Sequence, residues 1–431
     1  MRHAMKISIG KWLRTAVLGV ALCMGVSSQA QQLPIVKYDI DKVTAKWKNM
    51  EARLTIDADY PDGITPAART LQRWLYELFI SRHFNGQTIT GKQLMERVEA
   101  NFREANSVEE MKRFAEDGAE EGNWFFNYRV KKEYESNRIA SFTYSWDAYQ
   151  VGNATSSANI IDISVCKTYG RILAWEMFTS VRQLKKVLDK QLVEKFGKEG
   201  ADLYFAGTPP LPFAPLFLKD GVRFDYGNYS IVVPHVYEET GEYPYAFLKY
   251  ADILHLLTDE AKALLSLSGH SPSLNEPEPA SDSQVKVQLF RAYLKNWDNL
   301  HNLRKTDDFQ LDYAPNVDYY GMKMSKEKVQ QSKTAFLQKT PDYEQVSYRL
   351  KVTKMDSCHV RCDFLKRTIA NGMTRVYPSY LIYVTNNDGS SWQIERESDQ
   401  VTDKNLEMKF RANEGRDKLA WSMLSAAEIH E

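Results

Sequence analysis

The sequence predicts an α+β protein made of two successive domains, and three observations predict it. Long runs alternate apolar and polar residues, as in Ala52-Leu54-Ile56-Ala58-Tyr60 and Cys358-Val360-Cys362-Phe364, the period of a half-buried strand. Other runs carry helical stripes, such as Leu71, Trp74, Leu75 and Leu78, and the two kinds of run are grouped rather than regularly interleaved. Residues 268–284, SGHSPSLNEPEPASDSQ, are rich in Ser, Pro and Glu and poor in buriable side chains, which is the composition of a linker. A chain of 431 residues is also longer than one hydrophobic core usually supports.

Residues 1–30 read as a secretory signal peptide. Arg2, Lys6, Lys11 and Arg14 form a basic start, and Thr15–Val26 is an apolar run short for a bilayer. Ser28-Gln29-Ala30 is a small-x-small site, so cleavage is expected after Ala30. Lipid attachment at Cys23 is disfavoured, because Leu22 stands where such sites carry Gly or Ala. The expected product is exported, to the periplasm or beyond, without stable membrane insertion. Hydrophobic residues make up 43% and charged residues 26%, ordinary for a globular protein. Lys+Arg 56 balances Asp+Glu 56, so no global charge directs the chain to nucleic acid.

The first domain is expected over 35–267. Its strand at 52–60 stops at Pro61-Asp62-Gly63, and Thr65 then caps a helix with Pro66 at its first position. Thr90-x-x-Gln93 and Ser107-x-x-Glu110 match capping boxes and predict two more helices, the first lined by Leu94, Val98 and Phe102. From Trp124 the period becomes two, in 124–130, 140–146 and 161–165, which predicts an antiparallel meander. Helical spacing returns through Val181, Leu184, Leu188 and Leu192, with Gly197 as the expected terminator. Residues 211–257 carry a Lys219-Asp220-Gly221 turn between alternating segments and are expected to complete the same sheet.

The second domain is expected over 285–404, with a tail at 405–431. A helix from about Val285 buries Phe290, Tyr293, Leu294, Trp297 and Leu300. A short strand with turns covers Tyr313–Gly321, and a helix capped by Ser325 follows. Alternating segments at 346–352, 358–364, 376–384 and 392–396 finish a curved meander, with Asn387-Asp388-Gly389 as the last tight turn.

The segment 43–262 resembles a family of extracytoplasmic domains of unknown function found in lysozyme-sensing anti-sigma factors and beside peptidoglycan deacetylase domains. The matching residues are Tyr149–Ala154, Tyr169-Gly170-Arg171, Phe224–Tyr229 and Pro244–Leu257. Where relatives carry Gly-Gly-Ala-His this chain has Gly152-Asn153-Ala154-Thr155, so a role tied to that His does not carry over. The segment 285–404 resembles the nuclear-transport-factor-2-like fold of secreted Bacteroidetes proteins, through Val317–Gly321, the Ser325 helix, the meander and Trp392–Asp399. That resemblance implies a cone with a pocket between helices and concave sheet, and no particular activity.

Candidate sites follow. Tyr293, Trp297, Tyr319, Tyr320 and Trp392 are the expected ligand-contacting residues of the cone pocket. Its available carboxylates are Asp318, Glu395 and Asp399, and none of His301, His359 and His430 is expected where a pocket base would stand. No nucleophile elbow, Cys-x-x-Cys pair or zinc-ligand spacing is present, so neither catalytic residues nor cofactors nor metals are expected. Glu238, Glu239, Glu242, Tyr243 and Tyr245 gather acids and aromatics at a turn, a pattern suited to a basic partner protein. Of the 4 cysteines, Cys166, Cys358 and Cys362 follow the cleavage site and are expected as buried core residues. Cys358 and Cys362 cannot bond to each other, because four residues of strand separate them by roughly 13 Å.

Together these features predict a non-enzymatic binding protein of the bacterial envelope. Its expected partners are peptidoglycan or a basic wall-acting protein such as lysozyme, with homodimerisation through the second domain. The alternative is an enzyme or small-molecule binder using the cone pocket.

Overall fold

The computed structural model describes residues 32–80, 89–116, 122–149, 157–205, 211–226, 245–268, 276–385 and 391–408. The signal-peptide segment, the Asn387–Gly389 turn and residues Glu238, Glu239, Glu242 and Tyr243 lie outside them.

The chain is α+β, with separate sheets each covered by helices. The first sheet has the order β1 (Ile35–Trp47), β2 (Met50–Pro61), β3 (Gly122–Glu135), β4 (Ile139–Tyr149), β5 (Ser157–Cys166) and β6 (Ile172–Leu173). Its β3–β4–β5 meander is antiparallel, as the period-two runs require, whereas β2 and β3 are parallel. Parallel neighbours need a crossover, and helices α1 (Pro66–Phe79), α2 (Gly91–Ala105) and α3 (Val108–Glu116) supply it. Strand β1 had no sequence signal of its own. Its outer residues are mostly half-exposed, so an edge strand shows little alternation.

Helix α1 starts where Thr65 accepts from the Ala68 N–H at 3.2 Å, with Pro66 following the cap. Helix α2 carries a complete capping box between Thr90 and Gln93. Leu71, Trp74, Leu75, Leu94 and Val98 bury these helices on Leu54, Ile56, Val130 and Phe142 of the sheet. Each such side chain contributes about 1.5–3 kcal/mol by leaving water.

Residues 211–257 depart from expectation. Instead of extending the first sheet, β7 (Leu216–Phe217), β8 (Gly221–Asp225) and β9 (Tyr245–Lys249) form a three-stranded sheet of their own. Period two identifies strands but carries no information on which sheet they join. This small sheet packs its Val222, Phe224 and Leu248 on helix α4 (Val181–Phe205), the turn at Trp175–Met177 and α5 (Asp259–Leu264). Helix α4 also continues through the expected stop at Gly197 to Phe205. A lone glycine costs a helix only about 1 kcal/mol against alanine, too little to end it without a following turn.

The third sheet has the order β11 (Met322–Ser325), β10 (Tyr313–Tyr319), β15 (Trp392–Asp399), β14 (Met373–Thr385), β13 (His359–Ala370) and β12 (Glu344–Lys354). Helices α6 (Val287–Asn302) and α7 (Lys326–Lys339) cover it, and Ser325 caps α7 as expected. Phe290, Leu294, Trp297 and Leu300 of α6 are buried against Val352, Cys362, Phe364 and Leu381. Tyr293, expected with them, is half-buried.

The region carrying β12–β15 is tied to the earlier part of the chain by directed polar contacts. Ser180 Oγ donates to Glu344 at 2.8 Å, and Arg182 donates to the Pro341 carbonyl at 2.8 Å. Arg367 donates to the carbonyls of Glu176 and Phe178. The described part of the Pro- and Ser-rich stretch is also fixed: Ser281 Oγ accepts from the Val352 N–H at 2.8 Å. Arg73 of α1 donates to the carbonyls of Ser281, Asp282 and Val285.

Candidate functional site

A surface cleft of about 1050 Å³ lies where α1 meets the 277–291 stretch. Asp62, Gly63, Ile64 and Arg69 line it from the first region, and Pro277, Pro279, Ser281 and Arg291 from the second. The turn before α1 explains the first wall. Gly63 has φ +96°, a conformation that glycine tolerates and other residues resist, and it places Ile64 with 80% of its surface in solvent. An isoleucine that exposed beside an exposed Arg69 is apolar contact surface, with half-buried Tyr169 adding to it and the buried Tyr76 and Leu350 behind. Gly170 allows the approach of the Tyr169 turn: a Cβ there would meet the Pro66 carbonyl oxygen at 2.5 Å.

The second wall is held by charge. Glu278 accepts from Arg291 at 3.0 Å and from the Ile172 N–H at 3.3 Å. Glu77, buried under Arg73, accepts from its Nε at 2.8 Å and from the Gln288 N–H at 2.8 Å. Burial pushes the Glu77 carboxyl up, against the pull of Gln288 and Arg73.

Adjoining it, a chamber of about 60 Å³ is lined by Trp74, Trp175, Arg291, Lys295, Asp298 and Gln345, among others. Cleft and chamber share Ile172, Gln288, Arg291 and Leu350 as lining residues. Lys295 donates to the carbonyls of Leu211, at 3.3 Å, and Pro212. Burial pulls its ammonium down to about 7. Asp298 accepts from Gln345 Nε2 at 2.7 Å, and from Ser347 N at 2.7 Å and Oγ at 2.9 Å. Burial nevertheless pushes its carboxyl up to about 7. Trp175 Nε1–H and Arg291 Nε–H are buried donors without a protein acceptor.

The interior of the cone region holds a different arrangement. Trp297 Nε1 donates to Tyr313 Oη at 3.0 Å, and Tyr313 donates to Glu397. Lys333 Nζ lies 3.0 Å from Glu397 and 3.1 Å from His301 Nε2. His301 Nδ1 faces the Trp297 carbonyl at 2.7 Å, so Nδ1 carries the proton and Nε2 accepts from the lysine. Burial and then the neighbouring Lys333 hold His301 well below its usual range, so it is neutral. Burial raises the Glu397 carboxyl, but Lys333 and Lys366 outweigh it and keep the group ionised. Every member is buried and partnered within the network.

The sequence had placed no histidine base in this interior. His301 corrects that: it follows Trp297 by four residues and so shares its helical stripe. Asp318, Glu395 and Asp399, the expected pocket carboxylates, lie elsewhere. Asp318 accepts from the Gly321 N–H, Glu395 faces His359 at 3.3 Å, and Asp399 accepts from the Thr402 N–H. The inward carboxylate is Glu397, for a reason alternation alone misses. Ile382 pairs with Arg396 but Tyr383 with Ile394, so Glu395 is an extra residue that reverses the phase of the strand.

The five aromatic candidates fall into two groups. Tyr293 and Trp392 pack around Phe290 and Tyr383, with Trp392 edge-on to Phe290 at 5.1 Å. Trp297, Tyr319 and Tyr320 surround the lysines: Lys333 lies 5.2 Å from the Trp297 ring and 5.4 Å from Tyr319, and Lys366 donates to Tyr320 Oη at 3.1 Å. Neither the cleft nor the chamber is lined by any of the five. Tyr245, the described member of the partner-binding set, carries Lys195 over its ring at 3.9 Å.

Cys166 and Cys362 are buried free thiols, and burial pushes Cys362 up. Cys358 is only half-buried, a correction to its expected core place. It precedes β13 in a turn where Asp356 accepts from its N–H at 2.7 Å. Among the described residues no group of three or more His, Cys, Asp or Glu is placed to hold a metal ion. No described helix is long and apolar enough to cross a membrane.

Comparison with solved structures finds two members of the DUF3298 family over the N-terminal part of the chain. The Bacteroides fragilis member is 16% identical with a TM-score of 0.46, covering 56% of this chain and 99% of its own. The Pseudomonas aeruginosa member is 14% identical with a TM-score of 0.33, covering 53% and 96%. A design with NTF2 in its name is 16% identical with a TM-score of 0.23, covering 27% and 99%. Scores this low carry no functional argument. No family model matches the chain, and no curated protein does.

Proposed function

We propose that this is an exported, non-enzymatic binding protein of the bacterial envelope that takes a segment of cell-wall material into the cleft beside α1. Export rests on the basic, apolar and small-x-small order of residues 1–30. The observation that carries the binding reading is the cleft itself: about 1050 Å³, lined by exposed Ile64, aromatic Tyr76 and Tyr169, and Arg69 beside backbone-rich Pro277–Ser283. That is at the upper end for a compact small-molecule site and suits a length of polymer with both apolar and acidic groups. The two regions act as jaws, 35–267 and 285–404, with the described residues 276–284 docked between them.

In this reading the cone is scaffold. The Trp297, Tyr313, Glu397, Lys333 and His301 network satisfies its own members, although Tyr383 Oη in the same core is buried without a protein partner.

Co-sedimentation of the mature chain, 31–431, with purified peptidoglycan tests the reading, with immobilised lysozyme as a second arm. The expected result is sedimentation that falls at least tenfold in an Ile64→Asp, Arg69→Glu variant. Retention by lysozyme alone would replace the wall ligand with a protein partner. An unaltered fraction in the variant would remove the cleft from the account.

A further inference from the structure

The long sheet edges among the described residues are covered or charged, with one exception. Along β12, Ser347, Val352 and Lys354 give their N–H groups to Asp298, Ser281 and Asp282. Along β9, the carbonyls of Tyr245 and Phe247 accept from Lys195 and Gln191 of α4. Edge strand β1 carries Lys37, Asp39, Asp41, Lys42 and Lys46 and a register shift between Ile40 and Val43, features that discourage pairing. The other edge strands, β6, β7 and β11, are short. The exception is the start of β14. Strand β15 pairs with β14 only from Ser379 onward, opposite Asp399. Residues 373–378 are therefore paired with β13 on one side and, among the described residues, with no strand on the other. Met373 is 50% exposed there and Val376 48%.

The ladder fixes which backbone groups face the open side. The Glu397 carbonyl accepts from the Tyr320 N–H on the β10 side of β15, so Glu397 and its opposite Leu381 are not a bonded pair. Tyr380 is then the residue that points its N–H and C=O at β15, and counting back by twos turns Pro378, Val376 and Thr374 the same way. The hairpin agrees. Asn371 and Gly372, at φ +51° and +71°, form a two-residue turn that closes on Ala370 and Met373, so Met373 and Arg375 bond toward β13. The open side thus offers the N–H groups of Thr374 and Val376 and the carbonyls of Thr374, Val376 and Pro378. Pro378 has no N–H and ends the row. Between these groups Arg375 is exposed. Its guanidinium reaches Tyr377 Oη at 3.5 Å and Met373 Sδ at 3.8 Å and forms no ion pair among the described residues.

We propose that residues 373–378 are a docking edge for an extended segment of another polypeptide, one that sets a carboxylate side chain opposite Arg375. Binding by strand addition takes affinity from main-chain hydrogen bonds and selectivity from the side chains between them. In an antiparallel addition Arg375 occupies a non-bonded position, where facing side chains come closest. An opposite charge there is favoured and a like charge is not. That condition argues against a second copy of this chain. Two such edges pairing antiparallel must stop at Pro378, because Asp399 fills the place beside Ser379. The longest register that stops there sets Thr374 against Val376 of the second copy, and Arg375 directly against Arg375 of the second copy. The proposal is independent of the cleft, which lies on other elements.

The test uses the intact mature chain and two capped, labelled peptides of strand-favouring residues: Thr-Val-Thr-Glu-Thr-Val-Thr and the same peptide with Lys in place of Glu. Fluorescence anisotropy at low salt is expected to show about fivefold tighter binding of the Glu peptide. Hydrogen exchange should slow in residues 373–378 with that peptide and stay unchanged in β12. Arg375→Glu should reverse the preference. Val376→Pro removes an N–H that β13 does not use, and should weaken the Glu peptide about fivefold or more. Equal binding of the two peptides, no binding of either, or an affinity that Val376→Pro leaves unchanged would overturn the proposal. A dimer in sedimentation velocity that Val376→Pro splits would overturn it in favour of a second copy. The comparison of the two peptides on the unaltered chain decides the matter even where a variant fails to fold.

Discussion

The interior of the cone and the chamber beside the cleft contain the same kinds of side chain and use them in opposite ways. In the cone, Trp297, Tyr313, Glu397, Lys333 and His301 form a closed circuit in which each donor has its acceptor. Among the residues around the chamber, Trp175 and Arg291 keep buried N–H groups that no protein atom accepts. A closed network fixes one packing arrangement. An open one is a cost to the fold.

The largest effect expected is in the cone. Lys333→Met removes the lysine that touches Glu397 at 3.0 Å and leaves the buried carboxylate with Tyr313 and the field of Lys366 alone, which costs about 3–5 kcal/mol. Urea denaturation followed by fluorescence should show that loss, while affinity for peptidoglycan in the folded protein stays within twofold. Next in size is Trp297→Phe, which removes the indole donor to Tyr313 and part of the contact with Phe364. About 1–3 kcal/mol is expected from the unsatisfied Tyr313 oxygen and the smaller ring. Should either substitution abolish binding without loss of stability, the cone would be site rather than scaffold.

The chamber predicts the reverse pattern. Lys295→Met replaces a buried ammonium with an apolar chain of similar length, and stability at pH 6 should hold or rise. Asp298 adds a signature in pH. Its carboxyl is raised to about 7 in the folded chain, so the folded state holds the proton more tightly than the unfolded state. Stability from this group is full below about pH 4 and is lost as pH rises toward 7. Thermal denaturation should show Tm falling across that window, and Asp298→Asn should flatten the fall. The smallest effect belongs to the rim. Ile64→Asp should change stability by no more than about 0.5 kcal/mol, because Ile64 is already 80% exposed. Its effect on binding should be far larger.

How far the sequence led follows the same division. Caps at Thr65, Thr90 and Ser325 and the alternating runs of β2–β5 and β12–β15 are local signals, and the structure places elements there. Edge strand β1, the separate sheet of β7–β9 and the passage of α4 through Gly197 depend on tertiary packing, which no local pattern encodes. The inward Glu397 needed knowledge of a bulge, although His301 was readable from its spacing to Trp297. The cleft was out of reach, because its walls lie some 200 residues apart: Arg73 meets Asp282 with a separation of 209. Its residues are scattered polar and apolar ones that form no motif.

The most direct measurement is hydrogen exchange on the mature chain with and without soluble peptidoglycan fragments. The account predicts slowed exchange in the Gly63–Tyr76 stretch and in residues 277–291, with none at Tyr313–Tyr319, α7 or β15. Protection centred on the cone strands, with the cleft segments unaffected, would contradict it and move the binding site into the cone.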